Sequence, residues 1–378
     1  MTWGSGSSGL TGSSGDDPLP EYPEYPEYPE QKITMQYHQS CITAVGVELP
    51  PNVVRSEELE SRLQPLYERL HLHVCRLELM TGIRERRFWN KGTLPSEAAA
   101  AAGRKALAKA RVSPSEIGCL INCSVSRDCV EPATAAFVHD LLELPPTALA
   151  FDISNACLGM VNGVMMLANL VELGQIEYGL AVCGENGGPL VENTVRTLCE
   201  DVTIDRKAMK SHFASLTIGS CAAGIVVGRR GHRLLHSAWR ADTSHNRLCQ
   251  GAVEGGMTDD SKPLMETDSE ELLVRGVALA EGMWAELRAA CGWNDGAQPD
   301  VVVTHQVGKM HRQRLYEHLK LPPELDYSTF ERLGNCGSAS LPATLALAEE
   351  EGRLQKGQKV ALLGIGSGIN CAGLGVEW

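Results

Sequence analysis

The 378-residue chain has no apolar run approaching the ~18 residues that a membrane-spanning helix needs, so it is not expected to be integral to a membrane. It has no basic excess. Lys and Arg number 34 against 47 Asp and Glu, a formal charge of −13, which excludes a general nucleic-acid binder with its basic face. It has no CxxC pair, although thirteen cysteines are present. The closest group, Cys119, Cys123 and Cys129, does not have zinc-ligand spacing, so no metal site is expected. Nor is the chain a short secreted scaffold with a leader that would call for disulfides. Most of its thiols are expected to be small buried hydrophobes in a reducing cytoplasm. The 43% hydrophobic and 21% charged residues suit one large globular domain or two of average size.

Residues 1–35 read as a disordered, low-complexity tail. It opens Gly/Ser-rich, repeats Glu-Tyr-Pro from Glu21 to Glu30, and cannot bury enough apolar surface to offset ordering entropy. Asp16, Asp17, Glu21, Glu24, Glu27 and Glu30 place nearly half of the excess negative charge there. Beyond it, short apolar runs alternate with longer helical stretches. Strands are expected at Ile42–Val47, Cys119–Ser124, Ala148–Ile153, Gly179–Cys183 and Ala223–Val227. A second set follows at Leu234–Trp239, Val301–Thr304, Val360–Leu363 and Ala372–Val376. Helices are expected at Ser96–Ala110, Leu158–Leu173, Asp268–Cys291 and Leu341–Glu351. The pattern predicts an α/β fold in two halves of similar content, 36–230 and 231–378. The stretch Leu158–Leu173 is apolar almost all round, which predicts a helix buried on all sides between two sheets.

One cysteine differs from the rest. Cys157 lies between a strand and the start of that buried helix. Unpaired N–H groups and the helix dipole there are expected to lower the thiol pKa. The same N–H groups can hold an oxyanion. His305 closes the apolar run Val301–Thr304 and is followed by Gln306. Asn335 stands in the Gly-flanked loop Gly334–Gly337, where it also suits a turn. The run Gly364-Ile365-Gly366-Ser367-Gly368 can bring backbone N–H groups to a reacting carbonyl. Cys, His and Asn in that order admit a papain-like protease or acyl transfer to carbon. The residues around Cys157 do not match the papain signature.

These runs together resemble the thiolase superfamily. The carriers are Ser154–Gly163, His305-Gln306, Gly334–Ser340 with Pro342, and Gly364–Gly368, joined by Thr81–Arg87 and Leu216–Val227. They are most similar to its 3-oxoacyl-ACP synthase III branch. Glu131 precedes Pro132 in Ser124–Pro132, where ordinary synthases of that branch carry an aromatic residue reaching into the partner subunit. This and Leu362–Cys371 resemble the OleA subgroup, which begins bacterial long-chain olefin biosynthesis. The resemblance implies duplicated βαβαβαββ halves in five α-β-α-β-α layers and an obligate homodimer. It also implies a cytoplasmic acyltransferase in fatty acid metabolism, with possible downstream olefin-pathway enzymes as partners.

The resemblance further implies a non-decarboxylative head-to-head Claisen condensation of two long-chain acyl-CoAs to a 2-alkyl-3-ketoacid. The acyl group would rest on Cys157. The backbone N–H groups of Cys157 and Ser367 would hold the oxyanion, with Gly366 and Gly368 lining the substrate. His305 and Asn335 would stabilise the enolate, and Glu131 would remove the α-proton. No cofactor is implied beyond CoA thioesters as substrates. Arg84, Arg86, Arg312 or Arg314 could meet CoA phosphates or be plain surface charge. Val307-Gly308 replaces the usual Ala-Asn after His-Gln, which counts against an acyl-carrier protein as substrate. The alternatives are a decarboxylating 3-oxoacyl-ACP synthase III, an HMG-CoA synthase-like enzyme, and a silent homologue acting as a partner subunit.

Overall fold

The computed structural model describes residues 34–73, 76–251, 264–294 and 296–378. The expected tail lies outside them except for Thr34 and Met35, which form part of a strand. The first half opens with β1 (Thr34–Gln36), β2 (Cys41–Glu48), β3 (Asn52–Arg55), α1 (Ser56–Arg62), α2 (Gln64–Arg69), α3 (Arg76–Thr81) and β4 (Glu85–Phe88). It continues with α4 (Pro95–Ala110), β5 (Ile117–Asn122), α5 (Thr134–Leu141), β6 (Leu149–Asp152) and α6 (Gly159–Glu172). It closes with β7 (Tyr178–Glu185), α7 (Gly188–Glu200), α8 (Arg206–Phe213) and β8 (Cys221–Gly228). The second half holds β9 (His232–Ala241), β10 (Cys249–Gly251), β11 (Met265–Thr267), α9 (Ser269–Ala290) and β12 (Val301–Thr304). After these come α10 (Lys309–Leu319), α11 (Phe330–Leu333), α12 (Ser340–Glu350), β13 (Lys359–Gly366) and β14 (Asn370–Glu377).

The main strands run in the order β6-β5-β7-β8-β2, then β9-β14-β13-β12. Each half sets its first strand antiparallel to its last, β2 to β8 and β9 to β14. Inside each half the crossover strands are parallel, β6 to β5 to β7 and β12 to β13. A single parallel bridge, Val302 to Asp326, stands beside β12 where β6 stands beside β5. The same topology is thus drawn twice about a short β2–β9 join, Cys41 to Arg233 and Ile42 to His232.

Period-two burial builds the layers. In β8, Cys221, Ala223, Ile225 and Val227 face the central core, and Val226 faces the outer one. In β13, Val360 and Leu362 point to the centre, and Ala361, Leu363 and Ile365 point outward. A strand covered on both faces reads as a continuous apolar run, which is why these strands are visible in the sequence. Helix α4 covers the outside of β2, β7 and β8, and α9 covers β9 and β14. Between the two sheets lie α6, against β7, β8 and β14, and α12, against β2, β8 and β12. The order is therefore α-β-α-β-α.

One expectation about the central helices changes. The helix expected at Leu341–Glu351 is α12, and each of its residues from Ser340 to Ala348 is buried. Its hydroxyls are satisfied locally, Thr344 Oγ1 donating to the Ser340 carbonyl at 2.7 Å. Conversely, α6 is not buried on all sides. Asn162, Met166, Asn169 and Leu173 share one face at helical spacing, and Met166 and Leu173 are exposed. At the start of α6, a Cβ on Gly159 would stand 2.3 Å from the Cys123 carbonyl oxygen and 3.0 Å from Ser338 Oγ. Only glycine lets this helix press onto the end of β5, and that contact places the residue two positions earlier, Cys157.

Candidate active site

Cys157 sits in a single 3-10 turn, Ala156–Leu158, between β6 and α6. Ala156, just before it, adopts φ +45, so the chain turns sharply there. The turn packs against β13 and against a second 3-10 turn, Gly337–Ala339, that follows Asn335. A Cβ on Gly366 would stand 3.7 Å from the Cys157 backbone nitrogen, so the glycine run lies close over the nucleophile turn. Ser367 follows at the mouth of that run, half-buried, its carbonyl accepting from Asn370 Nδ2 at 3.3 Å. Asn370 Nδ2 also reaches Asn155 Oδ1 at 3.2 Å, and Asn155 Nδ2 donates to Asn162 Oδ1 at 2.7 Å. Three asparagines thus link the glycine loop, the nucleophile turn and α6. Gly368, at φ +129, completes the loop.

His305 extends the parallel pairing of β12 with β13 by donating its N–H to the Leu363 carbonyl at 2.8 Å. Its side chain is buried and Nδ1 has no hydrogen-bond partner among the described residues. Burial, with His311 on α10 adding to it, lowers its pKa to about 3, so the ring is neutral at neutral pH. Gln306 explains the His-Gln pair. Its Oε1 accepts from the Thr329 and Phe330 N–H groups at 2.9 and 3.1 Å, tying the His305 loop to α11, which leads into Asn335. Asn335 itself is held by its backbone. Its N–H donates to the Thr217 carbonyl and its carbonyl accepts from Gly219, both at 2.9 Å. Its Oδ1 accepts from Gly337 N–H at 3.0 Å.

The expected depression of the Cys157 pKa is not found. Burial pushes the thiol up to about 12, and Cys249 and Glu185 act in the same direction. A short 3-10 turn supplies little dipole, and desolvation outweighs it. The resting nucleophile is a protonated thiol, so the thiolate forms only as its proton is removed. Alkylation of Cys157 by iodoacetamide should therefore keep rising with pH well above 9, where an ordinary thiol levels off. A plateau near pH 8.5 in the alkylation profile would contradict this.

Glu185, which sequence reading passed over, is a carboxylate whose charge acts on the Cys157 thiol. It ends β7, is buried, and accepts from the N–H groups of Val125, Ser126 and Ser338 at 2.9, 3.0 and 3.2 Å. Burial raises its pKa while these bonds oppose the rise. Its signal was present: a charged residue ending an apolar strand, as with His305. Ser338 Oγ accepts the Met160 N–H at 2.9 Å, joining the Asn335 loop to the nucleophile helix.

Glu131 is exposed, in the loop between β5 and α5. That loop is anchored by Asp128, which accepts from Ser96 N–H at 2.9 Å. Asp152 accepts from Thr134 and Ala135 N–H at 2.9 and 2.8 Å. The Cys157 turn packs against β13 and against the turn that follows Asn335, His305 is bonded to β13 through Leu363, and Glu131 stands on the surface of the chain.

Arg86 is not a surface cation for phosphate. It is fully buried, donates to Ser56 Oγ at 3.1 Å and to the Leu216 carbonyl at 3.3 Å, and burial lowers its pKa to about 10. Arg84 is exposed beside Glu331, Arg312 is bound to Asp326 at 2.6 Å, and Arg314 lies 3.9 Å from Glu317. The Val307-Gly308 departure has a local cause. Gly308 has φ +154, and a Cβ there would meet the Thr81 carbonyl oxygen at 2.9 Å. Every described cysteine is a free thiol, and among the described residues no cluster of His, Cys, Asp or Glu could hold a metal ion. No helix among them is long and apolar enough to cross a membrane.

Known proteins resemble the chain over most of its length. The profile of the 3-oxoacyl-[acyl-carrier-protein] synthase III C-terminal family matches residues 294–378. The acyl-CoA:acyl-CoA alkyltransferase of Shewanella oneidensis is 38% identical over 352 residues, covering 91% of this chain and 100% of that protein. The protein of the same name from Xanthomonas campestris is 36% identical, covering 87% of this chain and 95% of its own length. A solved histidine-to-alanine variant of Xanthomonas campestris OleA matches with a TM-score of 0.85 at 34% identity, covering 91% of this chain and 100% of that one. Other solved forms of that OleA carry a cysteine-to-alanine or glutamate-to-alanine substitution, or are a cysteine-to-serine variant with bound lauric acid and lauroyl-CoA. The chain belongs to the acyl-CoA:acyl-CoA alkyltransferase (OleA) family, on the 3-oxoacyl-ACP synthase III branch of the thiolase fold.

Proposed function

We propose that the chain joins two long-chain acyl-CoAs head to head through an acyl group carried on Cys157. The observation that carries this reading is a half-buried thiol on a turn beside the glycine loop, packed against the turn after Asn335 and against the strand that holds the neutral His305, in a chain of this family. The Cys157 sulfur attacks the first thioester carbon, and its proton ends on the departing CoA sulfur. The S–C bond forms, the oxyanion meets the Cys157 and Ser367 N–H groups, and CoA departs as the thiol. The second thioester oxygen lies toward His305 and Asn335. A neutral imidazole N–H and the amide stabilise the enolate without placing a fixed positive charge there. Glu131 takes the α-proton, the enolate carbon attacks the acyl carbon, and the Cys157 sulfur leaves. Hydrolysis of the remaining thioester gives a 2-alkyl-3-ketoacid.

Two further features support the role of Glu131 and a homodimer. In the Xanthomonas campestris OleA variants, the substituted glutamate precedes the substituted cysteine by the same number of positions as Glu131 precedes Cys157. Strand β6 is a sheet edge, yet Leu149 and Phe151 on it are exposed, as are Phe137 and Met166. An uncovered apolar edge beside the Glu131 loop suits a second copy that lends Glu131 to its partner's site.

Given a long-chain acyl-CoA alone, the purified protein should release CoA and form a 2-alkyl-3-ketoacid without CO2. A strict requirement for malonyl-ACP, with CO2 released, would overturn this reading in favour of a decarboxylating synthase.

A further inference from the structure

Glu185 is 4% exposed, and among the described residues no cation pairs with it. A buried carboxylate without a counter-ion is costly unless several N–H groups converge on it. Three do, and they come from two different loops. Val125 and Ser126 open the loop that bears Glu131, and Ser338 belongs to the loop that bears Asn335. The packing is close as well: a Cβ on Gly337 would lie 3.3 Å from the Glu185 carboxyl carbon. Asp128 and Asp152 pin the Glu131 loop to its own half of the fold. Glu185 pins that loop to the segment holding Asn335. No apolar residue, and no amide, can accept three N–H groups there, because an amide turns a donor toward one of them.

We propose that Glu185 is a positioning residue for carbon–carbon bond formation. Its carboxylate fixes the Glu131 loop and the Asn335 loop to the end of β7, and thereby to each other. This role rests on the assignment of Glu131 as base and Asn335 as enolate partner. Acylation of Cys157 uses neither residue, so the two half-reactions should separate. Glu185 also adds to the rise of the Cys157 pKa, which supplies an independent signal.

Glu185→Gln keeps the volume and removes the charge. Acylation of Cys157 by a long-chain acyl-CoA should stay within about threefold of wild type, while condensation kcat falls on the order of 10²-fold. The pH profile of Cys157 alkylation should move to lower pH as the neighbouring charge goes. In hydrogen exchange, the Val125–Ser126 and Ser338 amides should lose protection together. Ser126→Ala, which takes one hydroxyl donor from the carboxylate, should change condensation in the same direction by less. Unchanged condensation, an equal loss of both half-reactions, or loss of protection in one loop only would overturn the proposal. If wild-type protein neither acylates nor condenses, the reading of the reaction has failed. The coupled exchange then still tests whether Glu185 ties the two loops to each other.

Discussion

Cys157→Ala protein should show no acyl adduct by intact mass spectrometry after exposure to a long-chain acyl-CoA, and product formation should fall by at least ~10³-fold. The expectation rests on geometry unique to this thiol. Cys41, Cys119, Cys123, Cys183, Cys221, Cys336 and Cys371 are buried, most of them inside the sheets and their cores. Among the described cysteines, Cys157 sits on a turn beside the glycine loop, where the proposed oxyanion would meet two backbone N–H groups. Its raised pKa does not count against it. A thiol kept protonated by burial resists adventitious oxidation and reacts once a positioned thioester and a proton acceptor are present. Cys249 is the informative control, because it is the described thiol that most affects Cys157. An adduct that persists in Cys157→Ala and maps to Cys249 would sink the assignment.

Glu131→Ala, unlike Cys157→Ala, should separate the half-reactions. Acylation of Cys157 should remain, because thioester exchange needs no carbon acid. Condensation should fall by ~10²–10⁴-fold, the usual contribution of a positioned general base. An unactivated α-C–H is a weak acid, and an acceptor without a carboxylate to lose cannot generate its enolate by decarboxylation. The exposed position of Glu131 makes a sharper test available. Neither Cys157→Ala nor Glu131→Ala homodimers should condense. Dimers mixed at random should recover about a quarter of wild-type activity, because half are hybrids and each hybrid has one site with both groups. No recovery on mixing would place Glu131 in its own subunit's site. Unchanged condensation in Glu131→Ala would remove it from the mechanism.

Much of this protein could be read in one dimension, for a physical reason. Strands covered on both faces must be apolar throughout, so β2, β5, β7, β8, β12, β13 and β14 stand out as short apolar runs. A polar residue directly after such a run is where chemistry can emerge from the sheet, and His305 has that signature. Glu185 has it too and was overlooked, because a lone carboxylate gains meaning only from the N–H groups facing it. Those belong to Val125, Ser126 and Ser338, as many as 153 positions away in sequence. Helices α1, α2, α3, α5, α7, α8, α10 and α11 were not anticipated, most of them being too short for a helical period to stand out in the sequence.

The sequence by itself determined the alternating architecture, through apolar runs and local punctuation, and it marked Cys157, His305 and Asn335 as candidates through runs that resemble a known family. The tertiary structure alone decided the state of those groups. It made the Cys157 thiol hard to ionise and kept His305 neutral, because desolvation depends on neighbours from every layer. It sealed Arg86 inside and left Glu131 outside, although both stand in motifs of charged residues that look alike on paper. Charge, burial and proton affinity are properties of a place in the fold, and a place exists only after both halves have closed around α6 and α12.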